Sequence, residues 1–240
     1  MTRAAPADVP GILAAEPAVV LAARLTGLLG AAGSALDRSA DMLRLPSGGH
    51  VYTPGRHDPH LYLVRAGRVK TAAVTRQGRT CLLDIHGRYD IFGESCLLEP
   101  VRDTEAVAMA PSELVRIPLA AFLDALATGP AYEESLRFLV GRLAEQRQRI
   151  TQLVTRTSEQ RLATVLLGLS RKLGEGHERH RRIDQRITQE ELAQLVGTTR
   201  SRVGHFLKKF RAGGLVHRAP GHTLIVDEPR LRAYAETTGS

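Results

Sequence analysis

The stretch from Ile187 to Phe210 constrains the fold of this 240-residue chain more than any other, because it carries the signals for two short helices and the break between them. Thr188 is a predicted N-cap, and Glu191, three residues later, completes a capping box. Gly197 predicts the end of the first helix, because glycine tolerates the backbone conformation that closes a helix. The first helix is therefore predicted to be short and to be followed directly by a tight turn.

A second helix is predicted after this turn, with Thr198 or Thr199 as its cap. Its apolar residues recur at the i, i+3, i+4 and i+7 spacing of one buried stripe, and they are Val203, Phe206, Leu207 and Phe210. Its outward side is polar and basic, with Arg200, Ser201, His205, Lys208 and Lys209. Two helices with these properties predict a helix-turn-helix. The alternative is an ordinary helical hairpin with a solvated basic face.

Composition and charge favour a soluble protein with a polyanionic partner. The chain is 43% hydrophobic and 24% charged, and its formal net charge is +8. Charge alone does not separate nucleic acid from a membrane surface. The two cysteines, Cys81 and Cys96, do not form a disulfide framework, so a reducing cytoplasm is the expected location. The first fifteen residues lack the apolar core of a signal peptide, and the apolar run from Ala18 to Leu29 is too short to span a bilayer, so no membrane association is expected.

The sequence pattern of the first half of the chain changes from helical to β-type near residue 43. Residues up to about 15 are predicted to be disordered, and the remainder of the lead-in, residues 1–42, to contain one or two short helices interrupted at Gly30 and Gly33. Residues 43–128 then alternate short β-type runs with proline and glycine, at a spacing of roughly ten residues. This pattern predicts a small antiparallel barrel or sandwich.

A long helical pattern follows, from Tyr132 to about Thr157 within a segment that we assign to residues 129–157. Its inner positions step alternately by three and four residues, and they are Leu136, Leu139, Leu143, Gln146, Ile150, Leu153 and Thr157. Such a heptad seam predicts pairing with a second copy in a parallel dimer. Gln146 would lower the stability of this seam, but it could fix its register or face a ligand. The alternative is one amphipathic helix packed on its own domain.

The last segment, residues 158–240, contains the helix pair and its surroundings. Ser158 is a predicted cap for a helix from Gln160 to Leu173, and residues 174–182 read as a polar, basic loop. After the helix pair, two short β-type runs around Pro220 and Gly221 predict a hairpin wing, and Pro229 opens a short closing helix.

Five short motifs in this order resemble the cyclic-AMP receptor protein and fumarate-nitrate regulator (CRP/FNR) superfamily of bacterial transcription regulators. They are Leu61–Lys70, Asp90–Glu94, Ser112–Pro118, Gln160–Ala163 and Ile187–Ala193. Each motif alone is weak, but the order is specific, and the resemblance spans residues 43–226. It implies an α+β fold with an N-terminal β-roll sensor, a long dimerisation helix and a C-terminal winged helix-turn-helix. The function it implies is that of a homodimeric, sequence-specific regulator of transcription.

The resemblance also implies which residues contact double-stranded DNA. Two second helices, about 199–210, would enter successive major grooves of a palindromic operator roughly 34–36 Å apart. By register, Arg200, Ser201 and His205 would contact bases. Ser201 stands where close relatives have glutamate, so the DNA sequence that those relatives recognise cannot be assumed for this chain. Phosphate contacts are expected from Thr188, Thr199, Arg202, Lys208, Lys209 and Arg211. RNA polymerase would be a further partner of an activator.

The possible effector site is implied in the same way. Gly93, Glu94 and Arg102 resemble parts of the cassette that binds the phosphate and ribose of a cyclic nucleotide. Asp103, however, stands where cyclic-AMP binders have serine or threonine, and a carboxylate there repels a phosphate. Gln146 and Arg147 replace the hydroxyl residues that contact adenine. The expectation is a β-roll that is not a conventional cyclic-AMP site, with another effector or none. In the simplest alternative, Arg102 and Asp103 are strand-end charges that bind no ligand.

Metal and enzymatic chemistry are poorly supported by the sequence. Two separated cysteines cannot hold the iron–sulfur cluster of the fumarate-nitrate branch. The pairs His57/His60 and His177/His180 lie in predicted loops and read as solvated histidines, so no metal site is predicted. No catalytic set stands out, which disfavours the rival interpretation as a β-barrel metalloenzyme. A nucleotide-binding module that controls a protein partner is the remaining alternative. A redox role for the two cysteines stays open.

Overall fold

The computed structural model describes residues 17–29, 38–75, 80–127, 131–177, 180–183, 187–219 and 224–236. Several predicted features lie outside these ranges: the disordered start, the interruptions at Gly30 and Gly33, and the wing turn at Pro220 and Gly221. The described chain is a β-roll, a long helix and a C-terminal helical domain with its own sheet. This α+β arrangement confirms the predicted fold class.

The β-roll consists of two four-stranded antiparallel sheets. Its strands are β1 (Asp41–Leu45), β2 (His50–Tyr52), β3 (His60–Ala66), β4 (Val69–Val74), β5 (Thr80–His86), β6 (Ile91–Phe92), β7 (Thr104–Ala108) and β8 (Ser112–Pro118). One sheet has the order β1-β8-β3-β6, and the other β2-β7-β4-β5. A short 3-10 turn, Glu94–Leu97, follows β6. The strand-like runs predicted from the sequence are therefore confirmed.

Strand β3 shows how alternation divides the core of the roll. Leu61 and Leu63 point to a cluster shared with the helices, whereas Tyr62 and Val64 point into the space between the two sheets. Successive side chains of a strand point to opposite faces, so one strand contributes to both clusters. Residues of both sheets, among them Tyr52 of β2 and Leu114 of β8, join Tyr62 and Val64 in the second cluster.

Three helices flank the first sheet of the roll: α1 (Pro17–Leu29), α2 (Leu119–Ala127) and the long helix α3 (Ala131–Thr155). Leu21 and Leu25 of α1 are fully buried, and Phe138 of α3 packs in the same cluster. An ion pair of 2.9 Å between Arg24 and Glu134 also joins α1 to α3. The long helix ends before Thr157, so the predicted heptad seam stops at Leu153.

The C-terminal domain contains α4 (Ser158–Leu173), β9 (Glu175–His177), β10 (His180–Ile183), α5 (Gln189–Val196), α6 (Arg200–Ala212), β11 (Val216–Arg218), β12 (Leu224–Asp227) and α7 (Glu228–Glu236). Its strands form one sheet of order β11-β12-β10-β9. The prediction of a loop over residues 174–182 was wrong, because β10 pairs with β12 from the far end of the domain. That pairing joins distant segments, and no local signal marks it.

Two further sequence expectations need correction. Thr157, not Ser158, caps α4, and it forms a capping box with Gln160. His60 begins β3 and contacts Asp58, and His180 lies in β10, so neither is a loop histidine.

The β-roll packs directly against the C-terminal domain. Ala72, Leu82 and Ile85 of the roll share one buried cluster with residues of α4, α5 and α6. The sensor-like roll and the helix-turn-helix are therefore in contact through an apolar interface within one chain.

Candidate DNA-binding surface and sensor interior

The helix pair is fixed by the caps that the sequence predicted. The Thr188 hydroxyl accepts from the Glu191 backbone N–H at 3.1 Å, and the Glu191 carboxylate accepts from the Thr188 backbone N–H at 2.9 Å. Gly197 ends α5 with φ 68°, a left-handed conformation that favours glycine. Thr199 then caps α6 by accepting from the Arg202 backbone N–H. Of the two candidates for this cap, the structure selects Thr199.

The second helix, α6, presents a basic face to solvent. Its apolar residues Val203, Phe206, Leu207 and Phe210 are buried, as predicted. The exposed residues are Arg200, Ser201, Arg202, His205, Lys208, Lys209 and Arg211. The helix contains five Lys or Arg residues and no acidic residue. An exposed face with this charge suits the phosphate-lined groove of DNA.

The start of α6 carries the residues predicted to contact bases. The Thr199 and Ser201 hydroxyls lie 3.2 Å apart, so they form a hydrogen bond at the first turn. The His205 ring packs edge-on against Phe206, with ring centroids 5.9 Å apart. Arg200, Ser201 and His205 are exposed together at this end of the helix. Their role as base contacts remains a prediction.

Lys209 differs from the other predicted phosphate contacts. Its ammonium lies 2.9 Å from the Glu159 carboxylate of α4 and 5.7 Å from the centre of the Tyr234 ring of α7. The Glu159 carboxylate also accepts from the Tyr234 hydroxyl. The hydrogen bonds that the ammonium makes with Glu159 and Tyr234 raise the pKa of Lys209. A DNA phosphate would therefore compete with an existing ion pair for this lysine.

The long helix α3 exposes apolar side chains along one side. Val140, Leu143 and Ile150 are 63–65% exposed, and Val154 is 83% exposed. The members of this stripe, which we name the α3 stripe, are Tyr132, Leu136, Val140, Leu143, Ile150, Leu153 and Val154. Four of the residues predicted for the seam belong to it, Leu139 is half-buried beside it, and Gln146 is exposed. Val140 and Val154 were missed because they lie one position beyond the strict heptad pattern.

Arg102 of the predicted cassette is buried inside the roll, so the interpretation of this residue as a strand-end charge was wrong. Its side chain is 0% exposed. The guanidinium donates to the Asp58 carboxylate at 3.1 Å, to the Gly93 carbonyl at 2.7 Å and to the Ser95 hydroxyl at 3.3 Å. It also donates to the His60 carbonyl. Every nitrogen of the guanidinium therefore has a partner within the chain.

Aromatic rings surround this arginine. The guanidinium carbon of Arg102 lies 4.2 Å from the centre of the Tyr52 ring, a cation–π geometry. Tyr62 stacks on Phe92 at 5.3 Å, and His86 also stacks on Phe92, with ring centroids 4.8 Å apart. Burial raises the pKa of Tyr52 to about 12. These rings occupy the interior of the roll next to the cassette.

Of the predicted effector residues, the structure brings Gly93, Glu94 and Arg102 together, but not the two from the long helix. Gly93 has φ 85°, and a Cβ added there would lie 3.1 Å from the His60 carbonyl oxygen, so the backbone approach requires glycine. The Glu94 carboxylate pairs with Arg142 of α3 at 3.2 Å. Gln146 and Arg147, the residues predicted from the sequence, are exposed further along the helix.

Arg142 belongs to a charged cluster that sequence analysis did not identify. Asp84 of β5 pairs with Arg142 at 2.9 Å, with Arg149 at 3.3 Å and with Lys172 of α4 at 3.3 Å. Lys172 also pairs with Asp90 at 3.0 Å. Burial disfavours the Asp84 carboxylate, yet Lys172 and the other cations hold its pKa well below the usual range. One carboxylate thus links the β-roll, the long helix and the C-terminal domain.

The two cysteines differ in accessibility. Both are free; Cys81 is exposed, and Cys96 is buried. Burial raises the pKa of the Cys96 thiol, which makes it a poor nucleophile. Within the described ranges, no three His, Cys, Asp or Glu residues form a group that could hold a metal ion. None of the described helices is long and apolar enough to cross a membrane.

Comparison with known proteins supports two functional regions. Residues 42–128 match the cyclic nucleotide-binding domain family, and residues 160–234 match the Crp-like helix-turn-helix domain family. A CRP-like cAMP-activated global transcriptional regulator of Mycobacterium tuberculosis is 30% identical over 204 residues, which cover 84% of this chain and 91% of the relative. The fumarate and nitrate reduction regulatory protein of Salmonella typhi is 22% identical over 195 residues, covering 81% of this chain and 78% of that protein.

Solved structures share the fold. A transcriptional regulator of the CRP/FNR family from Thermus thermophilus superimposes with a TM-score of 0.66 at 26% identity, covering 83% of this chain and 100% of that one. A mutant of CooA from Carboxydothermus hydrogenoformans gives a TM-score of 0.71 at 22% identity, covering 88% of this chain and 95% of that chain. The fold of this chain is therefore shared with a solved regulator of the CRP/FNR family.

Proposed function

The chain belongs to the CRP/FNR superfamily of bacterial transcription regulators, and we propose that it acts in the cytoplasm as a homodimer that reads a palindromic operator through α6. The observation that carries the proposal is the capped, carboxylate-free face of α6, which is exposed while its apolar side is buried. Such a helix can enter the major groove with its N-terminal residues at base edges.

Arg200, Ser201 and His205 are the residues that we propose to read bases. Arg200 offers two parallel N–H groups, which suit guanine O6 and N7. Arg202, Lys208 and Arg211 are proposed to bind phosphates, together with the helix starts at Thr188 and Thr199. Lys209 is a weaker candidate, because its charge is matched by Glu159. If the dimer activates transcription, RNA polymerase is a further partner.

Dimerisation is proposed to occur along the α3 stripe. A second copy of the same helix would cover these apolar side chains, and pairing in a parallel dimer places two α6 helices on the same side. The stripe is long, apolar and flanked by polar residues, as expected for an interface rather than for a solvated face. Leu136, Leu139, Leu143, Gln146, Ile150 and Leu153 are the proposed contacts, with Val140 and Val154 added from the structure.

The β-roll is proposed to be a sensor that is not a conventional cyclic-AMP site. Arg102 is paired with Asp58, Glu94 is paired with Arg142, and aromatic rings fill the adjacent space. The alternative is a cyclic-nucleotide-responsive regulator that uses Gly93, Glu94 and Arg102. The 30% identity to a relative named as cAMP-activated favours this alternative.

One experiment tests both parts of the proposal. Random double-stranded DNA is selected on the full chain, with and without cyclic AMP and cyclic GMP, and the bound sequences are read. The proposal expects enrichment of a two-fold symmetric site with half-sites about one helical turn apart, unchanged by either nucleotide. Enrichment of no sequence would overturn the operator proposal, and enrichment only with a nucleotide would establish the alternative.

A further inference from the structure

We propose that Asp58 is a built-in counter-anion of the sensor, which takes the position beside Arg102 that the anionic group of a ligand would otherwise take. The inference deepens the proposed role of the β-roll as a sensor, and it rests on that role. It concerns the site around Arg102 alone, so it can be tested without DNA. The ligand class that this site would accept is a compact carboxylate or phosphate anion.

Arg102 requires an anion because it is a fully buried cation. Its side chain is 0% exposed, and the guanidinium carbon lies 4.2 Å from the centre of the Tyr52 ring and 5.9 Å from that of Tyr62. Carbonyl and hydroxyl oxygens satisfy its hydrogen bonds at Gly93, Ser95 and His60, but these groups are neutral. An ionised group in the interior needs a charged partner as well as hydrogen bonds. Among these hydrogen-bond partners in the described part of the chain, Asp58 supplies the negative charge.

The position of Asp58 is fixed by the backbone rather than by a chance rotamer. The segment 55–58 pairs with the segment 100–102 at the end of the cassette. Gly55 N–H donates to the Arg102 carbonyl at 2.7 Å, Arg102 N–H donates to the Arg56 carbonyl at 2.9 Å, and Asp58 N–H donates to the Pro100 carbonyl at 2.8 Å. These hydrogen bonds attach residues 55–58 to the segment that carries Arg102. This backbone pairing therefore holds the Asp58 carboxylate beside the Arg102 guanidinium.

The contacts of the Asp58 carboxylate also resemble those of a bound anion. It accepts from Arg102 Nε at 3.1 Å and from the Tyr62 hydroxyl at 2.9 Å, and it lies 2.6 Å from His60 Nδ1. A carboxylate that meets three side chains in this way has the contacts of an anion in a binding site. The three partners come from β3 and from the segment before β7, so they would remain in place if the carboxylate were removed.

Chemical rescue tests this inference. Asp58→Ala removes the carboxylate and leaves Arg102 buried without a counter-anion, so the Tm of the full chain is expected to fall by roughly 5–10 °C. Formate, inorganic phosphate and cyclic AMP are then added separately at increasing concentration. We expect formate or phosphate to recover at least half of the lost Tm, with saturation. The three probes separate a carboxylate site from a phosphate site and from a nucleotide site.

Two control proteins make the result specific. Asp41→Ala removes a carboxylate from an exposed ion pair with Arg116, so the change in Tm should be small and no anion should reverse it. The double variant Asp58→Ala/Arg102→Met removes the cation as well, and rescue by anions should disappear. If Asp58→Ala does not fold, Asp58→Asn keeps the shape of the side chain and loses only the charge, and the same titrations apply.

The outcomes are distinct. Saturable rescue of the single variant and none of the double variant supports the inference. Rescue by formate but not by cyclic AMP also supports it, and shows that the aromatic rings exclude the nucleotide. The absence of rescue by any of the three anions, in both Asp58 variants, would overturn it. Operator binding by the wild-type chain is a separate measurement, so failure of this inference leaves the DNA-binding proposal intact.

Discussion

Lys70 of the sensor strand β4 donates to one oxygen of the Glu191 carboxylate at 2.9 Å, while the other oxygen accepts from the backbone N–H of Thr188 at 2.9 Å. Glu191 therefore both caps the first helix of the DNA-binding pair and connects that helix to the β-roll. Burial opposes its ionisation, but the Thr188 backbone and the Lys70 ammonium outweigh burial and hold the pKa of Glu191 below its usual range.

Replacement of this carboxylate should destabilise the protein. Glu191→Ala removes a cap and a half-buried ion pair, so we expect the free energy of unfolding to fall by about 1–2 kcal/mol in urea titrations at neutral pH. Because the pKa is depressed in the folded state, this contribution is present above the pKa of an unfolded glutamate and is lost as pH falls through the folded pKa. The free energies of unfolding of wild type and variant should therefore converge at acidic pH.

Glu190→Ala is the control, because Glu190 lies in the same helical turn but is exposed. It should change the free energy of unfolding by less than about 0.5 kcal/mol. An equal loss in both variants would contradict the role of Glu191 as cap and ion-pair partner.

His86 should give stability a pH dependence. Burial lowers the pKa of this imidazole well below its usual range, although Asp84 partly opposes the effect. A lowered folded-state pKa stabilises the protein above the pKa of an unfolded histidine, and this stability is lost as pH falls, by at most about 1.4 kcal/mol per pH unit. His86→Phe keeps a ring stacked on Phe92, and it should flatten the unfolding free energy between pH 7 and pH 5, a window expected from the usual histidine pKa of about 6.5. His217→Gln, at an exposed position, should leave the slope unchanged; a slope that survives in His86→Phe would contradict this reasoning.

Two substitutions on α6 should distinguish the recognition of DNA bases from the binding of DNA phosphates. Arg200→Ala should reduce discrimination between operator and random DNA by about 1–3 kcal/mol and leave weak nonspecific binding. Lys208→Ala should weaken binding to both DNAs alike and lower the slope of log affinity against log salt by about one. Footprinting and anisotropy titrations over a range of salt measure both effects. Unchanged sequence preference in Arg200→Ala would show that this arginine does not read a base.

A charge within the α3 stripe should prevent dimerisation. Ile150→Asp would place an unpaired carboxylate in the proposed interface, and we expect the dimer to weaken by roughly a hundredfold or more in sedimentation equilibrium. Gln148→Asp adds the same charge to the same helix at an exposed position off the stripe, and it should leave the dimer intact. Dissociation of both variants, or of neither, would argue against this interface.

Arg147 should limit the strength of the same dimer. It lies along the helix between Val140 and Val154, one heptad from each, so it interrupts the apolar line. In a parallel pair it would carry a charge into the proposed apolar interface, where loss of its hydration is costly. Arg147→Leu should therefore tighten dimerisation by roughly tenfold. Weaker dimerisation of this variant would indicate that Arg147 has an anionic partner.

Local sequence signals predicted the DNA-binding half well. The capping box of Thr188 and Glu191 and the left-handed turn at Gly197 depend on residues only a few positions apart, so the sequence contains all their partners. The same is true of the buried side of α6. The β-strands of the roll were also identified, because their proline and glycine boundaries are local.

Long-range contacts explain what was missed or misread. Strand β10 was taken for a loop because its hydrogen bonds go to β12, which lies more than forty residues later. Arg102 was recognised as a cassette residue, but its partner Asp58 lies on a different segment, and its burial depends on two sheets closing over it. Lys209 was predicted to contact a phosphate, but in the fold α4 and α7 bring Glu159 and Tyr234 beside its ammonium group.

The helix pair of Ile187–Phe210, the long amphipathic helix and the family could therefore be predicted, since each follows from neighbouring residues or from the order of motifs. Which charged side chains face solvent and which are already paired became clear only from the folded chain. That division has a physical reason. Helix caps and apolar stripes are set by spacing along the chain, whereas the state of a buried ion depends on a counter-charge that folding brings from elsewhere. Arg102 and Arg200 look alike in the sequence, but the first faces Asp58 in the interior and the second faces solvent.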